Sequence, residues 1–353
     1  MIKSADMFGI GLQRLGKGSN GCVVNPPFEC AAMRELRMKF PDETFVAKMF
    51  DNAEAAEAEM ASGARVLAYD PEQRDSSVGL AMCSVPDEYA EAVRDTCEYD
   101  EVDKRQLVSI FAGKTLWDVA QAVDTVEVAV HLLRKLNDLM KWMARANRRG
   151  ICHFDLKALN ILYHNERFRA IDWGLAEDQP RLFRTKAPAL YFPPDFHVAR
   201  RINVNNKLKV RHKFTLESME AETRSLLGQL YEYLNSTNML LRFPIFLTQL
   251  TDPNVAEATL RTVQAFTPFA DLPTPDAYQA FKASQKVDVY MFGFALVDFA
   301  RATTPSLALD TLLQDVLMQV VLPMMNIDYT ERISFERAST ILDVYLRDFP
   351  ASK

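Results

Sequence analysis

Long apolar runs are missing from this chain. No uncharged apolar stretch reaches the ~18 residues that a membrane-crossing helix needs. The nearest candidate, "VYMFGFALVDFA", contains Asp298 and reads as a buried core helix, so no membrane span is expected. Cysteine is sparse: five residues, an odd number, with no CxxC pair. That pattern argues against a disulfide framework or a zinc site and for a reducing compartment. Basic excess is absent too, since the formal charge is −6, which argues against a general nucleic-acid binder. His131, His164, His197 and His212 show no metal-ligand spacing, and His153 reads as a buried strut. The opening segment MIKSADMFGIG lacks the apolar core of a signal peptide, and no internal repeat or low-complexity linker is visible.

What is present is a chain of 353 residues with 48% hydrophobic and 25% charged residues, which predicts a folded protein of more than one core. From residue 8 to 50, short apolar runs (FGIGLQRLG, GCVV, TFVAKMF) are punctuated by Gly and Pro, which is strand-and-turn chemistry. Residues 52–67, rich in Ala and Glu, predict a helix. An irregular acidic stretch at 86–103 precedes RQLVSIF, a predicted strand. Beyond residue 115 the pattern turns helical, with Leu132, Leu133, Leu136, Leu139 and Met140 at helical spacing in a long helix over 124–146. The expectation is an α+β chain with a small β-rich lobe over 1–112 and a larger helical lobe over 113–353.

Charge sits where burial makes it expensive. "GICHFDLKALNILYHNERFRAIDWGLAED" (150–178) carries Asp155, Lys157, Asn160 and Asp172 in an apolar frame. Unpaired buried carboxylates are costly, so such a group is expected to bind something of opposite sign, and a metal ion on phosphate oxygens is one candidate. Upstream, "LGKGSNGCV" holds Gly16, Gly18 and Gly21 between apolar residues, as the tip of a β-hairpin would. Glycine there lets backbone N–H groups approach phosphate closely. In "FVAKMF", Lys48 lies between apolar residues and needs a counter-charge. Glu59 on the following helix is the preferred partner, because Met60, Val66 and Leu67 give it apolar surroundings; Glu57 is the alternative.

Taken in order, G-x-G-x-x-G-x-V at 16–23, V-A-K ending at Lys48, H-F-D-L-K-A-L-N at 153–160, D-W-G at 172–174 and P-P-D at 193–195 resemble the signature set of eukaryotic-type protein kinases. "KVDVYMFG" and Arg332 in "YTERISFERA" resemble later segments of the same family. "GSNGCVVNPPFEC" and "FAGKTL" resemble, more narrowly, Ser/Thr kinases of nucleocytoplasmic large DNA viruses. The resemblance implies a bilobal protein-kinase-like fold and ATP-dependent phosphorylation of Ser or Thr in a protein substrate. It further implies a location in the host-cell cytoplasm or a place packaged in the virion. It makes Asp172 and Asn160 ligands of Mg²⁺ (or Mn²⁺) on the ATP phosphates. Asp155 would orient the attacking hydroxyl, Lys157 would neutralise the transferring phosphoryl group, and Lys48 would pair with Glu59. Val23, Ala47 and Leu162 would sandwich adenine, with the backbone of Ser109 to Phe111 reading its edge, and Asp288 would bond the catalytic-loop backbone.

The chain also departs from that pattern. Phe154 stands where the family has an arginine that binds an activating phosphate, so activity without activation-segment phosphorylation is expected. Trp173 replaces a phenylalanine and is expected to pack toward Gly63, or toward Ala61 if Glu57 is the partner. Asp195 replaces a glutamate that would pair with Arg332. The segment 196–284 is read as an inserted helical subdomain, with a helix beginning at Thr215. Its basic stretch 197–213, with six Lys or Arg and no acid, would contact an acidic protein or nucleic acid, or stand as a solvated loop. Two other readings remain: a small-molecule phosphotransferase, which "AIDWG" fits as well, and a catalytically silent scaffold.

Overall fold

The computed structural model describes residues 11–18, 21–50, 52–99, 105–176, 225, 228–229, 232–233, 239–250, 286–326 and 331–349. The fold is mixed α+β. The chain divides into two compact units, one of residues 1–113 with 169–177, the other of 114–168 with 178–353. The first unit's long segment ends at residue 113. The segment 169–177, which carries Asp172, belongs to the first unit, where the sequence reading put it in the helical lobe.

The first unit is built on a five-stranded antiparallel sheet of order β1-β2-β3-β5-β4. Its strands are β1 (Gln13–Lys17), β2 (Cys22–Asn25), β3 (Phe45–Met49), β4 (Ala81–Ser84) and β5 (Arg105–Ile110). β1 is exposed along its whole length, whereas β2 and β3 bury Cys22, Val24, Ala47 and Met49. α1 (Ala31–Lys39) lays Met33 and Leu36 against Phe45, Val108 and Ile110. α2 (Ala53–Tyr69) starts at Asn52, whose side chain accepts the Ala55 N–H, and packs Ala56 against Phe50 and Leu107. Gln106, fully buried in β5, exchanges both amide hydrogen bonds with the Phe28 backbone at 2.9 and 2.6 Å, standing in for a strand partner.

Two sequence expectations are corrected here. The stretch 86–103 contains a helix, α3 (Ala90–Cys97), which its acidic composition concealed, and α1 interrupts the segment read as strands and turns. The second correction concerns cysteine. Cys22 is bonded to Cys97 and Cys30 to Cys83, across sequence separations of 75 and 53. The argument from spacing failed because tertiary packing, of the end of α3 beside β2 and of the start of α1 beside β4, brings the Cα atoms to 5.6 and 6.2 Å. Cys152, buried in the second unit, stands outside both bridges.

The second unit carries β6 (Lys114–Thr115) and β7 (Ile161–His164) in a small sheet whose third strand, β8 (Arg167–Ala170), leads the chain into the first unit. α4 (Leu116–Gln121) and α5 (Val126–Arg148) are capped by Thr115 and Thr125. α5 buries Leu132, Leu133, Leu136, Leu139 and Met140, the residues that predicted it. The helix Val287–Ala302 is buried on nearly every side, as a core helix, in line with its uniformly apolar sequence. Within the expected insertion 196–284, the described residues 225, 228–229 and 232–233 are helical, within the stretch read as a helix from Thr215, and two short helices follow, Met239–Arg242 and Pro244–Leu250. Arg242 closes the C-terminal end of Val287–Ala302, donating to the carbonyls of Ala300, Arg301 and Thr303 and pairing with Asp310. The helical run Leu307–Met324 is long and apolar enough to cross a membrane by length and composition, and 44% of it is buried inside the structure. Thr215, the basic stretch 197–213 and Asp195 lie outside the described residues.

Candidate functional site

The first charged group lies wholly within the first unit. β3 presents Lys48 beside α2, where its Nζ is 2.6 Å from Glu59 Oε2, and the chain after β8 brings Asp172 Oδ1 to 3.1 Å. Glu59, not Glu57, is therefore the partner of Lys48; Glu57 points outward and pairs with Arg105 at 2.9 Å. Burial alone would lower the Lys48 pKa, but the carboxylates of Asp172 and Glu59 outweigh it and hold it above the ordinary lysine range. Burial pushes the Glu59 carboxyl up, and the charge of Asp172 adds to that push while Lys48 opposes it. Two carboxylates thus share one ammonium, and the group retains a net negative charge that a cation would neutralise.

Asp172 is held in place locally. The Ala170 N–H donates to Asp75 O at 3.0 Å and the Ser77 N–H to Ala170 O at 2.9 Å, binding the end of β8 to the turn before β4. Arg65 on α2 donates to Ala176 O on the other side. Asp172 itself sits at φ 61°, a left-handed conformation costly for a residue with a Cβ, so the surrounding contacts impose it. Trp173 is buried, and its indole N–H donates to Ala170 O at 3.0 Å. The space beside Gly63 is filled by Val78, which supplies the three atoms nearest to where a Cβ would stand. The turn that carries Trp173 packs against α2, the helix of Gly63 and Ala61.

The glycine hairpin joins β1 to β2, with the Gly18 N–H donating to Gly21 O at 2.8 Å. A Cβ at Gly21 would come within 2.8 Å of both Lys48 Cε and Met49 O, whereas one at Gly16 would meet nothing within 4 Å. Gly21 is thus what allows the hairpin to close over Lys48. Gly21→Ala is expected to cost about 1–3 kcal/mol of stability through forced strand displacement, and Gly16→Ala is expected to leave the melting temperature unchanged; parallel thermal melts check the contrast. Ala47, on β3, is fully buried, and Val23, on β2, is partly so. Ser109 pairs with Val46 across the sheet, and the Phe111 N–H is engaged by Thr44 O at 2.7 Å. That N–H is satisfied within the sheet, which narrows the backbone left to read a base edge to its neighbours.

The second group lies within the second unit. Asp155 Oδ2 accepts from Lys157 Nζ at 3.0 Å and from Asn160 Nδ2 at 2.8 Å, and Asn160 also donates to Asp155 O. The loop rests on Asp288, 1% exposed, whose carboxylate accepts the N–H groups of His153 and Phe154 at 2.7 and 2.8 Å and the Asn147 amide at 3.1 Å. His153 is fully buried and its Nδ1 accepts the Asp155 N–H, the strut that the sequence led one to expect. Phe154 is buried at φ 62°, a strained position that Asp288 stabilises by holding its N–H. Asp288→Ala would strand two buried N–H groups at about 1–3 kcal/mol each. A fall of about 4 kcal/mol in unfolding free energy, with Asp288→Asn losing less, is the expected result of denaturant titration. Leu162 is partly buried on β7. Arg332 is buried over the Tyr290 ring and donates to the carbonyls of Asn326 and Lys286.

Among the described residues no cluster of three or more His, Cys, Asp or Glu could hold a metal by itself. A Mg²⁺ site of the nucleotide type does not need one. That ion takes one or two protein oxygens and completes its shell with water and phosphate. Asp172, with 40% of its side chain exposed and surplus negative charge around it, fits that donor chemistry. Comparison with protein-family models finds no match, and comparison with curated proteins finds none either.

Proposed function

We propose that the chain is an ATP-dependent protein kinase that phosphorylates serine or threonine. The observation that carries this reading is the Lys48–Glu59–Asp172 group: a buried lysine held by two carboxylates beneath a glycine hairpin. Lys48, with its pKa held high, remains charged and binds phosphate oxygens, while Glu59 fixes its position. The backbone N–H groups of the hairpin add further donors to phosphate. Mg²⁺ would supply charge neutralisation at the phosphates, Asp172 and Asn160 being the residues that the resemblance assigns to it. Asp155 orients the acceptor hydroxyl and takes its proton as the oxygen forms a bond to the γ-phosphorus. The bond from that phosphorus to the β-phosphate oxygen breaks and ADP leaves. Lys157, already paired to Asp155 Oδ2, is placed to offset charge on the phosphoryl group.

The presence of Lys48, Asp155, Asn160 and Asp172 together favours catalysis over a silent scaffold. The test is transfer from radiolabelled ATP with Mg²⁺, offering a protein mixture and a panel of small-molecule acceptors. Label on serine or threonine of protein is expected. Label confined to a small molecule would assign the chain to small-molecule phosphotransfer, and no transfer at all would assign it to a scaffold. The buried Phe154 cannot pair with a phosphate, so phosphatase-treated enzyme is expected to keep its activity.

A further inference from the structure

Both strands of the glycine hairpin are fastened to the C-terminal end of α3. β2 is joined there covalently by Cys22–Cys97. β1 is joined by charge: Arg14 contacts Thr96 O at 3.3 Å and Glu98 at 3.0 Å, while Lys17 contacts Glu98 and lies over the Tyr99 ring. The charged ties are solvent-exposed and therefore weak. β1 buries no side chain that could hold it. The disulfide is the strong tie, and its position is telling. Cys22 follows Gly21, where an added Cβ would meet Lys48, and Cys22 is opposite both Lys17 and Met49 in the sheet. Cys30–Cys83 joins the start of α1 to β4 and involves neither hairpin strand.

We propose that Cys22–Cys97 is a thiol-oxidation site that sets how tightly the glycine hairpin is held and thereby how tightly the chain binds nucleotide, the oxidised form being the binding form. The nucleotide part rests on the kinase reading; the tether itself does not. Reduction by a dithiol proceeds by thiolate attack on one sulfur, which breaks the S–S bond and forms a mixed disulfide. The second thiol of the reductant then closes a cyclic disulfide. Two electrons and two protons pass to Cys22 and Cys97, leaving two thiols. Both cysteines are fully buried, so the reductant needs local opening of the hairpin or of α3. Because coupling between two equilibria is reciprocal, bound nucleotide must oppose reduction by the same factor by which oxidation strengthens binding.

The experiment uses the full chain, oxidised and dithiothreitol-reduced, together with Cys97→Ser, Cys22→Ala/Cys97→Ala and, as control, Cys30→Ala/Cys83→Ala. Alkylation with mass mapping reads the thiols, Mg·ATP affinity reads binding, and hydrogen exchange of residues 13–25 reads the hairpin without nucleotide. Reduction, Cys97→Ser and the Cys22/Cys97 double variant are each expected to weaken Mg·ATP binding about tenfold and to speed exchange in the hairpin, and the control is expected to do neither. Unchanged affinity and unchanged exchange after loss of the bond would overturn the proposal, as would alkylation of both Cys22 and Cys97 in protein purified without reductant. If no form binds Mg·ATP while exchange still rises, the nucleotide coupling falls together with the kinase reading and only the tether stands.

Discussion

Asp172→Asn is expected to lower the rate of phosphoryl transfer by about 10²–10³-fold, the usual consequence of removing one preorganised electrostatic group. The same substitution should leave the fold intact, and the geometry explains why. Lys48 now serves two carboxylates, and without the charge of Asp172 it retains Glu59 at 2.6 Å in a balanced pair. The strained φ of residue 172 suits asparagine at least as well as aspartate. Loss of transfer with an unchanged melting temperature therefore reports chemistry and not unfolding. Glu59→Gln should behave differently. It removes the partner that positions Lys48 and leaves Asp172 as the only counter-charge, so nucleotide affinity should fall together with rate. Equal rates for Asp172→Asn and wild type would remove the basis for assigning Asp172 to the metal and phosphate.

Breaking both disulfides is expected to have the largest effect on stability. The chain-entropy relation gives about 4 kcal/mol for each bridge at these loop lengths, and the two bridges span 75 and 53 residues within the first unit. The loss is confined to that unit, since the second contains neither bridge. Thermal unfolding with and without reductant should show the transition of the first unit moving to lower temperature while that of the second stays in place. Coincident shifts in both transitions, or none, would contradict this assignment. A matched experiment on Cys30→Ala/Cys83→Ala separates the contributions, because it retains the bridge at the hairpin.

The choice between Glu57 and Glu59 shows where local reading stops. The two residues are two positions apart on α2 and so face opposite sides of the helix. Either face could have been the inner one until β3 was placed beside it. Apolar neighbours at 60, 66 and 67 pointed to Glu59, and the structure has Glu59 inside and Glu57 outside with Arg105. Gly63 shows a contact that has no local signal. Val78, from the turn before β4, supplies the three atoms nearest to where a Cβ there would stand. Nothing along the helix could have announced that residue.

What the sequence determined by itself was whatever depends on neighbours within a few turns. Apolar spacing set α5, alanine and glutamate set α2, and the order of glycine hairpin, lysine strand and charged loop marked Lys48, Asp155, Asn160 and Asp172 as residues that need partners. The support of the charged loop by Asp288 was legible as well, through resemblance and not through spacing. Only the tertiary structure decided the rest, because long-range pairing leaves no local period to read. It joined cysteines far apart in sequence, moved Asp172 into the first unit beside Lys48, and folded the polar segment 90–97 into a helix whose end anchors the hairpin. Packing of helices and loops on the sheet made these contacts, and that packing is set by the burial of whole faces rather than by any one residue.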